Sequence, residues 1–224
     1  MTRIGILLSG RGSNFVAIAE AIQRANNEAD ATSPLRNAQI SIVISNRADA
    51  PGIGAARDRG LPAAVIQARG RTRAEHDGEI VTCLREHQVE LVCLAGYMRL
   101  LSPAFVCEYP QRILNIHPSL LPAFPGLDAQ RQALTYGVAI TGCTVHFVDE
   151  KLDHGVIILQ RAVLVRENDE EASLAARILE QEHRAYPAAL ERVLSGHYEI
   201  VGRRYVLRNR GEASIPTEPD ECNS

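Results

Sequence analysis

Short apolar runs alternate with amphipathic stretches along the first half of the chain. The first run, Arg3 to Ser9, has a continuous apolar centre, as expected of a strand buried on both faces of a parallel sheet. Four further strands are predicted at Ile40 to Ser45, Ala63 to Ile66, Leu91 to Ala95 and Arg112 to Ile116. Because strands alternate with helical segments over short connections, we expect an α/β fold with a doubly wound, mostly parallel sheet flanked by helices.

The helices are predicted from apolar spacing and capping residues. They are one capped by Ser13 or Asn14, one starting near Pro51, one from Thr72 to His87 and one from Glu170 to Leu194. Three further strand-forming segments are the β-branched runs Ile140 to Val148 and Val156 to Val165, which flank a turn, and a short hairpin at Tyr198 to Leu207. The polar stretch Asn26 to Asn37 is predicted to be a loop or insertion. We expect one domain over residues 1–208, with a disordered tail over 209–224 that is rich in Pro, Glu and Ser.

Composition narrows the class of protein. The 224 residues carry a net charge of −3, which gives no electrostatic reason to expect a nucleic-acid or membrane partner. The apolar run Ile4 to Leu8 is too short for a signal-peptide core, so we expect a cytoplasmic protein. The five cysteines form no CxxC pair, and Cys83, Cys93 and Cys143 are expected to be buried free thiols; no metal site is expected.

Asn115 and His117 form the first candidate site. On a strand these two side chains point the same way, while Leu114 and Ile116 point the other way. An amide donor beside an imidazole can stabilise an oxyanion and move a proton. The same pattern is also typical of a histidine that is hydrogen-bonded within a core.

The segment Ser9 to Asn14, between the first strand and its helix, is a candidate anion site. Backbone N–H groups at a helix N-terminus attract anions, and two glycines allow a phosphate to approach closely. Phe15 occupies the place of the third glycine of a dinucleotide fingerprint, so a single phosphate fits better than a pyrophosphate. A plain glycine turn is the alternative.

Three other features add candidate chemistry. Asp153 lies in the turn before Gly155 and would favour the charged form of the His117 ring if the two met, which sequence spacing cannot establish. The loop from Ala95 to Pro103 follows the fourth strand, where ligands of open α/β sheets bind; its apolar residues could line a slot or belong to the core. Glu182 shares an apolar helix face with Ile178 and needs a partner there, unless it is half exposed.

Together these segments resemble the glycinamide ribonucleotide formyltransferases, folate-dependent enzymes of purine synthesis. The resemblance covers residues from Ile4 to about Leu194. It rests on five blocks in the family's order: Ser-Gly-Arg-Gly-Ser-Asn at 9–14, Leu-Ala-Gly-Tyr-Met-Arg at 94–99, Asn-Ile-His-Pro-Ser-Leu-Leu-Pro at 115–122, the segment from Gly142 to Gly155, and Gln-Glu-His at 181–183.

The resemblance implies transfer of a formyl group from the co-substrate 10-formyltetrahydrofolate to the amine of 5-phosphoribosylglycinamide, with no metal. It assigns catalysis, through an oxyanion intermediate, to Asn115, His117 and Asp153. Ribonucleotide contacts fall on Gly12, Ser13, Asn14 and Glu182. Folate contacts fall on Arg73, Met98, Arg99, Leu100, Leu101, Asn115, Val148, Asp149, Glu150, Lys151 and Leu152. Ala123 and Asp128 depart from residues found in relatives, which leaves secondary ribonucleotide contacts open.

Three other functions are consistent with parts of the sequence. A 10-formyltetrahydrofolate hydrolase shares the catalytic residues, but its regulatory domain would precede the first strand, which here begins at Arg3. The tRNA formyltransferases need a further C-terminal domain and a basic surface. A non-catalytic ribonucleotide-binding module would bind without turnover. The sequence leaves a homodimer open.

Overall fold

The computed structural model describes residues 1–27 and 32–208. Nine strands form one sheet in the order β3-β2-β1-β4-β5-β6-β7-β9-β8. The strands are β1 Thr2–Leu8, β2 Ala38–Ser45, β3 Ala63–Val65, β4 Leu91–Leu94, β5 Ile113–His117, β6 Ile140–Phe147, β7 Ile157–Leu164, β8 Tyr198–Val201 and β9 Arg204–Leu207. The helices are α1 Ser13–Asn27, α2 Pro51–Asp58, α3 Arg73–Glu86, α4 Pro103–Glu108, α5 Ala129–Tyr136 and α6 Glu171–Leu194.

The first five strands are parallel, which confirms the predicted doubly wound half of the sheet. β1 is central and pairs with β2 on one side and with β4 on the other. The chain therefore reverses its direction of winding between β1 and β4, and the loops that follow these strands flank the crevice where ligands of such sheets bind. β6 pairs antiparallel with β5 and with β7, and β9 joins the β8–β9 hairpin to β7.

Two apolar clusters cover the two faces of the sheet. Ile6 belongs to the cluster that packs the sheet against α1, α2 and α6, whereas its neighbour Leu7 belongs to the one packed against α3 and α4. This alternation is what a strand buried on both faces requires. Of the described helices, none is long and apolar enough to cross a membrane.

Several local predictions need correction. The short helices α4 and α5 were not predicted. Ser102 caps α4, and α5 lies between two residues with a left-handed backbone, Asp128 and Gly137. β5 extends one residue further than predicted, to His117. Cys93 and Cys143 are free and buried, and burial raises both thiol pKa values to about 12. Cys83 is free but only half-buried.

The predicted loop from Asn26 to Asn37 is partly ordered by a 3₁₀ turn at Pro34–Asn37, where the Ser33 hydroxyl accepts from the Leu35 N–H. Residues 28–31 of this segment lie outside the described residues. The predicted disordered tail, residues 209–224, lies outside them as well.

Candidate functional site

The β5–β6 pair brings three polar side chains to one face of the sheet. Asn115 lies directly opposite His146 in the antiparallel register, so the two side chains share a face, and His117 lies two residues beyond Asn115. Beneath them the buried Tyr186 hydroxyl lies 2.9 Å from the Leu114 carbonyl and 3.1 Å from the Leu94 carbonyl. This contact ties α6 to the backbone next to Asn115.

Asp153 reaches this face from the turn between β6 and β7. The register leaves the end of β6, at Phe147, beside Leu114 rather than beside His117, so the turn has to fold back to bring Asp153 to the histidine. Asp153 adopts a left-handed backbone with φ +48°. Gly155 permits the fold-back, because a Cβ there would lie 1.8 Å from the Phe147 carbonyl oxygen.

Both ring nitrogens of His117 face hydrogen-bond acceptors. Nδ1 lies 3.4 Å from Oδ2 of Asp153, an ion-pair distance, and Nε2 lies 2.8 Å from the Phe124 carbonyl oxygen. Since a carboxylate and a carbonyl can only accept, a ring protonated on both nitrogens can donate to both. The histidine is 5% exposed, so little water competes for these contacts.

The segment from Phe124 to Gly126 covers the same pair of residues. While the Phe124 carbonyl accepts from His117, the Gly126 N–H donates to Oδ2 of Asp153 over 2.8 Å. The turn of Asp153 and this segment therefore hold each other in place.

His146 is a site residue that the sequence reasoning missed. Its Nδ1 lies 2.7 Å from the Phe147 carbonyl, so Nδ1 carries the proton, and burial lowers the histidine pKa. In this neutral form Nε2 is an acceptor, and it lies 3.3 Å from Nδ2 of Asn115. His146 thereby fixes which end of the Asn115 amide is the donor. The sequence offered one signal, since His146 lies within the block from Gly142 to Gly155 that carries the resemblance, but its contact with Asn115 depends on strand order.

The lowered pKa of His146 predicts a pH dependence of stability. The unfolded histidine takes up a proton at its ordinary pKa of about 6.5, whereas the folded one remains neutral at lower pH. The free energy of unfolding should therefore fall as the pH drops below about 6.5. In His146→Gln this part of the pH dependence, measured between pH 7.5 and pH 5.5, should disappear. Denaturant unfolding at both pH values measures it; identical pH dependence in the two proteins would contradict the assignment.

The glycine-rich loop opens α1 as predicted, with one correction at the cap. Gly12, at φ +73°, accepts from the Val16 N–H, so glycine rather than Ser13 or Asn14 holds the cap position. A Cβ on Gly12 would lie 3.1 Å from the Gly52 Cα, and the left-handed φ disfavours any side chain there. The first N–H groups of the helix have no partners within it and suit an anion.

Glu182 lies beside this loop. Its Oε2 accepts from Nδ2 of Asn14 over 2.7 Å, a contact between α6 and the first turn of α1. Burial raises the pKa of the Glu182 carboxyl, and the Asn14 hydrogen bond opposes that shift. A partner for the Glu182 carboxylate is thus found within the protein, and the structure joins two residues that the resemblance assigns to the ribonucleotide.

The loop after β4 carries exposed apolar side chains. Met98 is 71% exposed and Leu100 is 50% exposed, so neither belongs to the core, while Leu101 is half-buried against the α3–α4 cluster. Arg99 is half-buried, and its Nε has no hydrogen-bond partner among the described residues. Arg73 is exposed at the start of α3.

The turn from Val148 to Leu152 is mostly exposed. Leu152 is 54% exposed, Glu150 and Lys151 are exposed, and Val148 is half-buried. Asp149 accepts from the Lys151 N–H and from Nδ1 of His154. Arg203 of the β8–β9 hairpin lies against the His154 ring, 2.9 Å from Nε2, so the hairpin supports this turn.

Comparison with known proteins gives a consistent set of relatives. The chain is 45% identical over 88% of its length to the human trifunctional purine biosynthetic protein adenosine-3, but spans only 19% of that protein. It is 40% identical to the phosphoribosylglycinamide formyltransferase of Escherichia coli, with 88% of this chain and 89% of that protein covered. The structure matches glycinamide ribonucleotide transformylase 1 from Symbiobacterium toebii with a TM-score of 0.87 and 45% identity, covering 93% and 95% of the two chains.

The match to a family model covers most of the chain. Residues 2–190 fit the model of the formyl transferases, a span that includes all three residues predicted to be catalytic, the glycine-rich loop and the loop after β4. Among the described residues, no group of three or more His, Cys, Asp or Glu side chains is arranged to hold a metal ion. The chain belongs to the formyl transferase family.

Proposed function

We propose that this protein transfers a formyl group from 10-formyltetrahydrofolate to the amine of 5-phosphoribosylglycinamide, a step of purine synthesis, through one domain over residues 1–208. The carrying observation is the convergence of Asn115, His117 and Asp153, with the histidine between a carboxylate and a carbonyl acceptor. The relatives whose match covers most of this chain and most of their own have names that refer to formyl transfer to glycinamide ribonucleotide.

The chemistry requires a neutral amine, an oxyanion site and a proton donor. The amine nitrogen attacks the formyl carbon, which forms a C–N bond and places negative charge on the formyl oxygen. The bond from that carbon to the folate nitrogen N10 then breaks; the attacking nitrogen loses a proton and N10 gains one. An amide N–H of Asn115 and a protonated His117 would stabilise the oxyanion, and His117 would supply the proton to N10.

The contact of His117 with Phe124 sets a condition on this mechanism. Asp153 lies beside Nδ1 of His117, so Nε2 has to donate the hydrogen bond or the proton to the substrate. In this structure Nε2 lies 2.8 Å from the Phe124 carbonyl oxygen. The reacting oxygen or nitrogen therefore takes the place of that carbonyl. Asp153 would retain the ring orientation through Nδ1 and stabilise the imidazolium during the exchange.

The two substrates would lie on either side of the crevice between β1 and β4. Gly12, Ser13 and Asn14 would hold the ribose phosphate with backbone N–H groups, and Glu182 would contact the ribonucleotide. The exposed Met98 and Leu100, with Arg73, Arg99, Leu101, Asn115 and residues 148–152, would surround the folate. Exposed apolar side chains at a crevice can pack against the flat pteridine ring of the folate and remove it from water.

Folate deformylation, followed with and without 5-phosphoribosylglycinamide, tests this function. We expect turnover only when the amine is present, with one formylated amine formed for each folate deformylated. Turnover without the amine would instead indicate the hydrolase, which shares the same catalytic residues. Ribonucleotide binding without turnover under either condition would indicate a binding module.

A further inference from the structure

Ser9 connects the two loops assigned above to the two substrates. Its side chain is buried, 6% exposed, where β1 meets the glycine-rich loop. The Ser9 hydroxyl donates to Oδ1 of Asn46 over 2.7 Å and accepts from the Met98 N–H over 2.8 Å. One hydroxyl therefore links the ends of three neighbouring strands, β2, β1 and β4.

The two hydrogen bonds of the Ser9 hydroxyl depend on each other, because one fixes the direction in which the other can form. A serine hydroxyl has one proton, and the Asn46 oxygen takes it, so a lone pair of Ser9 remains for Met98. The backbone adds a parallel link, since the Ser9 N–H donates to the Gly96 carbonyl over 3.0 Å. The positions of the two loops are consequently coupled at Ser9 rather than set independently.

The other end of the loop after β4 is anchored on α3. The Ser102 N–H donates to Oδ2 of the buried Asp77 over 2.6 Å, which leaves the backbone from Met98 to Ser102 held at both ends. Between these anchors the Met98 and Leu100 side chains are exposed. The backbone that carries the exposed apolar side chains is thus hydrogen-bonded directly to Ser9, at the start of the glycine-rich loop.

We propose that Ser9 is a positioning residue that couples the two substrate sites, so that a phosphate held by the glycine-rich loop strengthens folate binding at the loop after β4. The inference rests on the proposed function for the identity of the two ligands. Coupling of this kind is reciprocal, so folate strengthens ribonucleotide binding by the same factor. Because the hydrogen bonds of Ser9 go to Asn46, Met98 and Gly96 and not to the proposed catalytic residues, its loss should change the coupling without removing the catalytic groups.

The test measures the Kd of tetrahydrofolate with and without saturating 5-phosphoribosylglycinamide. This pair has no formyl group to transfer, so the measurement is of binding alone. In the wild type we expect the ribonucleotide to lower the Kd about 5-fold or more. In Ser9→Ala, which leaves the Met98 N–H without its acceptor, we expect the ratio of the two Kd values to fall below about 2-fold.

Ser41→Ala is the matched control. Ser41 is also a buried serine, on β2, but its hydroxyl has no hydrogen-bond partner among the described residues. The control should retain the wild-type ratio. If Ser9→Ala does not fold, Asn46→Ala removes the acceptor that orients the hydroxyl, and the ratio should fall between those of the wild type and an uncoupled enzyme.

The outcomes separate this inference from the proposed function. The role of Ser9 is overturned, and the proposed function is not, if the wild type binds both ligands without coupling. The same holds if Ser9→Ala or Asn46→Ala retains the full ratio of Kd values. A wild-type protein that binds neither ligand refutes the proposed function, and the inference fails with it.

Discussion

Replacing His117 with alanine should lower kcat by on the order of 10²–10⁴-fold, because the ring is the proposed proton donor and an oxyanion ligand. The substitution removes the ring that lies between Asp153 and the Phe124 carbonyl. KM for both substrates should change far less, since the glycine-rich loop and the exposed apolar residues remain. Steady-state kinetics of formyl transfer at saturating substrates measures this effect.

The exposed His197 provides the control for the loss of a histidine. His197→Ala should retain the kcat of the wild type, and thermal unfolding of both variants should show that each is folded. A folded His117→Ala enzyme that turns over within a few-fold of the wild-type rate would remove His117 from the mechanism.

Replacing Asp153 with asparagine should also lower kcat by on the order of 10²–10⁴-fold, with little change in volume. The amide lacks the charge that stabilises an imidazolium at Nδ1 of His117. An amide oxygen can still accept from the Gly126 N–H, so the fold-back of the turn should survive. The comparison of kcat with KM, at substrate concentrations on both sides of each KM, separates lost chemistry from lost binding.

Asp169→Asn is the matched carboxylate control. Asp169 pairs with Arg177, which holds the pKa of its carboxyl far below the usual range, and neither residue belongs to the candidate site. This variant should lose stability while its kcat stays at the wild-type value. Equal loss of kcat in Asp153→Asn and Asp169→Asn would point to a general effect of destabilisation.

The parts of the fold that follow from local pattern could be predicted from the sequence. The strand β4, and β1 from Ile4 onward, are continuously apolar because both faces are buried. The Thr72 cap of α3 is a capping box with Glu75. The short helices α4 and α5, of six and eight residues, were not predicted. The helix α4 begins at the Ser102 cap, and α5 is bounded by the left-handed residues Asp128 and Gly137.

The pairwise contacts of the site could not be predicted in the same way. Alternation along β5 placed Asn115 and His117 on one face, and the resemblance to formyltransferases added Asp153. The distance between His117 and Asp153 depends on a fold-back of the turn, which the register of β6 does not imply. The orientation of Asn115 by His146 and the link from Ser9 to Met98 depend on strand order, which joins residues far apart in the chain.

The most direct test of the central claim is the double variant His117→Ala with Asp153→Asn. If the carboxylate acts only through the imidazole, its loss costs nothing once the ring is absent, and the double variant should have the kcat of His117→Ala within about 3-fold. If the two losses multiply, with kcat lowered by the product of the single effects, Asp153 and His117 act independently and the proposed catalytic pair does not exist.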